Sequence, residues 1–262
     1  MADPFKPTAG ARPPQLIGRA EIVEAFAESL EDGPGAPALL SIFTGPRGIG
    51  KTVMLSAIEE EARKAGWLVI SERANVDVIQ RITAQVDTFE SELASEKEPH
   101  WRHTITRLLI RLAEMDKGLL ITVDEIHAID RDELDELATV VQHLIREGLP
   151  IGLAMAGQPQ AVSDLLNDGA TTFLRRAERY DVRTAPISEV RTSFAETFSE
   201  SGVQIDEQAL SDLANATGGH PFLIQLVGYH VWRRAHRDQD KVTQTSLTEG
   251  IISGLSSVDQ ST

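Results

Sequence analysis

The sequence predicts an α/β domain, a parallel five-stranded sheet flanked by helices, followed by a small all-helical domain. Three observations carry that prediction. Apolar runs at residues 39–43, 67–71, 119–123 and 150–156 alternate with helical patterns, the order of a parallel sheet joined by crossover helices. Two of these runs end in polar groups, residues 45–52 after the first and Asp124-Glu125 after the third. Past Pro186 no strand candidate as long or as apolar occurs, while helical patterns continue to residue 255.

In chain order, residues 1–14 hold four of the twelve prolines and read as a flexible leader. The α/β domain is expected over residues 15–186, the helical domain over 187–255 and a tail over 256–262. Ile22, Val23, Phe26, Ala27 and Leu30 form one helical face, closed by the Gly- and Pro-rich residues 31–37. The strand at 39–43, a helix over 51–65 and the strand at 67–71 make a βαβ unit, for which a parallel pair is expected. Residues 76–117 read as helices interrupted by the polar stretch 91–99. Asp130 can cap the next helix, with Glu133 in the reciprocal position of a capping box. A fourth buried strand follows at 150–156, and residues 179–183 offer a short fifth. Helices are then expected at 188–201, 206–217, 221–237 and 245–255.

The octapeptide Gly45-Pro46-Arg47-Gly48-Ile49-Gly50-Lys51-Thr52 fits the pattern of a phosphate-binding loop, and it lies between a strand and a helix as such a loop must. Its glycines let backbone N–H groups turn inward, and the helix running on through Val53 adds unpaired amides and a positive dipole end. Lys51 would place a charge near the β- and γ-phosphates, and the Thr52 hydroxyl would ligate Mg²⁺. The strand 119–123 reads as buried on both faces, and ligands of open α/β sheets bind beyond the carboxyl ends of strands. Asp124 and Glu125 therefore face the loop: Asp124 suits contact with Mg²⁺, and Glu125 is the candidate to deprotonate an attacking water.

Composition narrows the rest. Hydrophobic residues make up 41% and charged residues 25%, ordinary for a globular protein. The absence of cysteine excludes disulfides, thiolate metal sites and cysteine nucleophiles, and makes a reducing cytoplasm the default. No run reaches the ~20 apolar residues of a membrane span. A net charge of −15 disfavours unaided DNA binding. Local basic patches are nonetheless present, one at Arg102, His103, Arg107 and Arg111 and another across residues 232–237.

The phosphate loop, the strand ending in Asp124-Glu125, Leu16-Ile17-Gly18-Arg19 upstream and Thr217-Gly218-Gly219-His220-Pro221-Phe222 downstream together resemble stand-alone AAA-type ATPases of the origin-recognition-like and STAND (signal-transduction ATPase) group. The resemblance covers residues 15–252 and implies a P-loop NTPase sheet with a helical lid, binding ATP with Mg²⁺. It implies that Gly18 and Arg19 lie near the adenine, and that the segment from Gly219 to Pro221 packs beside the nucleotide. Arg175, Arg176 and Arg179 stand where such enzymes carry an arginine finger, which acts in trans within an ATP-dependent homo-oligomer. Gln158 follows the fourth strand, where the family usually carries a small polar residue or Asn as a sensor. His220 occupies the place of the lid's sensor arginine, as a substitute or as a helix cap.

The resulting expectation is an ATP-hydrolysing molecular switch whose lid reports nucleotide state to a protein partner. A nucleotide-dependent adaptor or DNA-associated regulatory protein with little or no hydrolysis is the alternative, less favoured because an adaptor needs no base at Glu125. Asp124-Glu125-Ile126-His127 also spells a helicase box, but the residues after Pro186 are too few for a second motor domain. A small-molecule kinase would need basic residues converging on an acceptor, and no such constellation is legible.

Overall fold

Five strands form one parallel sheet in the order β2-β3-β4-β1-β5. They are β1 (Leu40–Thr44), β2 (Leu68–Arg73), β3 (Leu119–Asp124), β4 (Ile151–Gly157) and β5 (Glu178–Asp181). The computed structural model describes residues 3–8, 13–93, 101–167 and 169–259. Burial explains the strand order. Every residue of β4, and all of β3 except Asp124, is buried, as befits central strands covered on both faces. The outermost strand β5, Glu-Arg-Tyr-Asp, is exposed or half-buried throughout.

Helices α1 (Ala20–Asp32), α2 (Lys51–Lys64), α3 (Val78–Leu93), α4 (Trp101–Ala113), α5 (Arg131–Arg146) and α6 (Pro159–Asn167) alternate with the strands. Ile82 of α3, Leu108 of α4 and Leu137 and Val141 of α5 share a core with Ile70, Ile121 and Val123 of the sheet. Helices α7 (Ile187–Glu200), α8 (Glu207–Thr217), α9 (Pro221–Ala235) and α10 (Gln244–Asp259) surround a second core that includes Phe194, Phe198, Leu213, Val227 and Leu247. The chain divides into two compact units. One comprises Ile22–Arg47 and Met54–Val182, here the sheet unit. The other, the helical unit, comprises the described residues before Ile22, Gly48–Val53 and those from Arg183 onward. The second half of the phosphate loop thus groups with the helical unit, which a cut at residue 186 does not anticipate.

Several local expectations are corrected. The leader is anchored early: Phe5 is 4% exposed, packs on Phe194 and Phe198, and the Lys6 amide donates to Gln225 Oε1. Residues 1–2 and 9–12 of that leader lie outside the described residues. Helix α3 runs to Leu93, so the polar interruption begins later than residue 91, and 94–100 lie outside the described residues. The expected tail at 256–262 is helical as far as Asp259, the remainder lying outside the described residues. Asp130 does cap α5, accepting from the Asp132 amide, but Glu133 does not close a capping box. Its Oε1 accepts instead from the Ile79 amide at the start of α3, one of the donors a helix leaves without an internal carbonyl. The fifth strand lies slightly earlier than expected, held by pairing with β1 and by Tyr180 stacked on Phe43 at 5.2 Å.

Candidate functional site

Within the sheet unit, parallel pairing brings the carboxyl ends of β1, β4 and β3 to one edge. Thr44 is in register with Gly157, and Val123 with Met155. Beyond those ends lie Gly45, Pro46 and Arg47 after β1, Gln158 after β4, and Asp124 with Glu125 at the end of β3. Gly45 is buried and Pro46 and Arg47 are exposed. Asp124 and Glu125 are both half-buried.

Glu125 has a φ of 57°, a left-handed conformation uncommon for a residue with a side chain. Its amide donates to Asp124 Oδ1 at 2.8 Å, which ties the two acids together. Its Oε2 lies 3.3 Å from His127 Nδ1, so His127 orients the carboxylate. That role was legible only as the fourth letter of the helicase-like box. Gln158 is exposed, and its carbonyl opens α6 by accepting from the Val162 amide.

Arg175 is committed elsewhere. Its Nε donates to the Leu166 carbonyl at 2.6 Å and its Nη2 to that of Asn167 at 3.1 Å. These carbonyls end α6, where a cation also meets the negative end of the helix dipole. All three candidate finger residues, Arg175, Arg176 and Arg179, are exposed. The sheet unit also contains a buried acid that sequence reasoning missed. Glu59 of α2 is 6% exposed; its Oε1 accepts from Ser71 Oγ at 2.7 Å and Thr122 Oγ1 at 2.5 Å, and its Oε2 pairs with Arg63 at 3.2 Å. The available signal was Thr122, the one hydroxyl in the apolar run of β3.

Within the helical unit, Gly48, Ile49 and Gly50 lead into Lys51, Thr52 and Val53, the first turn of α2. Ile49 and Lys51 are buried, while Thr52 is exposed. Arg19 is 6% exposed, and its Nη2 donates to the Ile49 carbonyl at 2.6 Å and to the Arg183 carbonyl at 3.4 Å. Among the described residues it has no carboxylate partner, and burial lowers its pKa. Gly50, with φ of 93°, admits this guanidinium: a Cβ there would stand 2.7 Å from Arg19 Nη1. Arg19 is therefore a brace on the loop backbone. Gly18, just before it, adopts φ of 70° beside Pro186.

His220 sits at the N-cap position of α9, with Pro221 as first helical residue, yet its side chain makes no capping hydrogen bond. The cap alternative is thereby set aside. Its ring is 3.8 Å from where a Cβ on Gly48 would lie, its Nδ1 is buried with no partner among the described residues, and burial, then the charge of Arg19, lower its pKa. Gly219 is required here by contact as well as by its φ of 72°, because a Cβ would fall 2.1 Å from the Ala185 carbonyl oxygen.

These groups suit a nucleotide phosphate. The loop offers glycine amides, a helix start, a buried Lys51 and a buried Arg19, and the Cε1–Nε2 edge of the His220 ring lies toward Gly48. Thr52 in the helical unit and Asp124 in the sheet unit are each an oxygen donor of the kind Mg²⁺ takes, an ion that characteristically has few protein ligands and completes its shell with phosphate and water. Among the described residues there is no cluster of three or more metal-ligating side chains, and no helix is long and apolar enough to cross a membrane.

The family profile described as AAA ATPase domain matches residues 15–153. No curated protein matches the chain in sequence. Among solved structures, the fold is similar to that of the Aeropyrum pernix ORC2 protein in its ADPNP-ADP complexes, with a TM-score of 0.66, 16% identity, and coverage of 95% of this chain and 70% of that one. Cdc6p from Pyrobaculum aerophilum gives a TM-score of 0.62 at 17% identity, over 93% and 69%. Thermotoga maritima RuvB, a Holliday junction branch migration motor, gives 0.56 at 16%, over 92% and 72%. With more than half of its length matched, the chain belongs to the AAA ATPase domain family.

Proposed function

We propose that the chain is an ATP-hydrolysing switch, binding ATP with Mg²⁺ and passing its nucleotide state to a protein partner through closure of the helical lid. The observation that carries this reading is the phosphate loop with a buried cation, Arg19, braced against its backbone and met by no carboxylate among the described residues. A phosphate group is the anion that such a loop is built to receive. The similar Aeropyrum pernix ORC2 protein, solved in ADPNP-ADP complexes, supports the choice of adenine.

In the proposed reaction Glu125, oriented by His127, takes a proton from water. The water oxygen bonds to the γ-phosphorus as the bond from that phosphorus to the β–γ bridging oxygen breaks, and ADP leaves with the electron pair. Lys51 and the loop amides hold the phosphates. Thr52 and Asp124 would hold Mg²⁺, which would supply positive charge to the phosphates. Arg176 and Arg179 are the remaining finger candidates, and a finger supplied in trans makes the active form an ATP-dependent homo-oligomer. With a net charge of −15, the chain alone does not hold duplex DNA tightly at physiological salt.

Phosphate release measured beside ATP titration tests the reading. Glu125→Gln should retain ATP and Mg²⁺ binding while turnover falls about a hundredfold or more, the scale of a general base. Asp124→Asn should weaken the Mg²⁺-dependent part of binding. Wild-type turnover unchanged in Glu125→Gln would remove the base from Glu125.

A further inference from the structure

The helical unit carries a second concentration of positive charge. Although the chain has 40 acidic residues against 25 Lys and Arg, residues 230–237 read His-Val-Trp-Arg-Arg-Ala-His-Arg without an acid. His230, Arg233, Arg234 and Arg237 line a cleft of about 450 Å³, together with Thr245 and Ser246 from the first turn of α10. Arg233 and Arg237 are exposed and four residues apart, so they share a face of α9 and its continuation.

Two of the arginines are held in place. Arg233 donates to the Tyr229 hydroxyl at 2.5 Å and lies 5.2 Å over its ring. Arg234 donates to Ser253 Oγ at 2.8 Å and pairs with Glu249 at 3.6 Å. After burial, the charges of Arg234 and then Arg233 hold the His230 pKa below its ordinary value, so their field is felt within the cleft. The α10 terminus adds a different kind of donor. Thr243 serves the amides of Ser246 and Leu247, and those of Gln244 and Thr245 are the first two of a helix, which have no carbonyl acceptor within it.

We propose that this cleft binds a small phosphomonoester, of the size of a sugar phosphate, at a site separate from the phosphate loop. Arginine forks, a hydroxyl and amides at a helix start are the groups that together suit a compact phosphate dianion. The volume lies in the range of small-molecule sites and exceeds what a bare ion needs. Asp238 and Glu249 share the lining, which sets an extended polyanion against two carboxylates while leaving room for a single compact dianion.

The test uses ribose 5-phosphate, with ribose as control, titrated onto the full chain and followed by the ring-proton NMR signals of His230, assigned with His230→Gln. The expected result is a saturable shift with ribose 5-phosphate, none with ribose, and a midpoint raised at least tenfold in the double variant Arg233→Ala/Arg237→Ala. Both of those side chains are exposed, and unchanged circular dichroism checks that the double variant folds. No shift through the millimolar range, or one unaffected by the double variant, overturns the proposal. So does binding through the same arginines, ten times tighter, of an oligothymidylate lacking terminal phosphates or of a phosphoserine peptide. The readout is local to His230 and does not require the phosphate loop to bind nucleotide.

Discussion

Glu59 in the sheet unit and Arg19 in the helical unit are each 6% exposed, yet their charges are met in opposite ways. Glu59 is surrounded by two hydroxyls and a guanidinium, so its burial is compensated within the fold. Among the described residues Arg19 has only backbone carbonyls as partners, one of them in the phosphate loop. A buried ion with full partners serves structure; one without a counter-ion beside an anion-binding loop is completed by ligand. On this comparison we propose that Glu59 serves stability and Arg19 serves binding.

The largest expected effect in stability falls on Glu59. Glu59→Ala should cost about 3 kcal/mol, as a buried charged group loses its hydrogen bonds and leaves Ser71 and Thr122 unpartnered. Urea denaturation would measure it, with ATP affinity unchanged. A large loss of affinity without loss of stability would break the division. Arg19→Ala should do the reverse, weakening ATP about tenfold, or 1.4 kcal/mol, with a smaller change in the urea midpoint. If its affinity equals that of wild type, Arg19 is structural and the two buried ions are alike.

The smallest effect concerns His220, whose folded pKa is lowered from 6.5 by burial and by Arg19. The unfolded chain therefore takes up this proton first as pH falls. Stability from the neutral ring is present above about 6.5 and declines below it. His220→Gln should flatten that part of the pH–stability curve, measured by thermal unfolding between neutral and mildly acidic pH. An unchanged slope would place the titration elsewhere.

What the sequence made legible follows the same physics. The strands β3 and β4 are apolar because both faces are covered, so their positions could be read from composition alone. Residues 45–52 do join β1 to α2 and Asp124 does end β3, placements that follow from residue types at fixed spacing. Strand β5 was displaced in the reading because Glu178-Arg179-Tyr180-Asp181 has no apolar run, and its place is set by β1. Phe5 was read as part of a loose leader because its partners, Phe194 and Phe198, are distant in sequence. Resemblance put Arg19 near the adenine, and its contact with the Ile49 carbonyl was not legible, since backbone acceptors leave no trace in side-chain pattern. Arg175 likewise looked available as a finger until the α6 carbonyls that engage it were in view.

Nucleotide binding at the phosphate loop underlies every role assigned to the nucleotide site. Titration of a fluorescent ATP analogue with Mg²⁺ into wild type and Lys51→Ala tests it most directly, because Lys51 is the loop's own charge on the β- and γ-phosphates. Saturable binding by wild type, with none by a folded Lys51→Ala protein over the same range, is the predicted result. Equal binding by the two proteins would contradict the account.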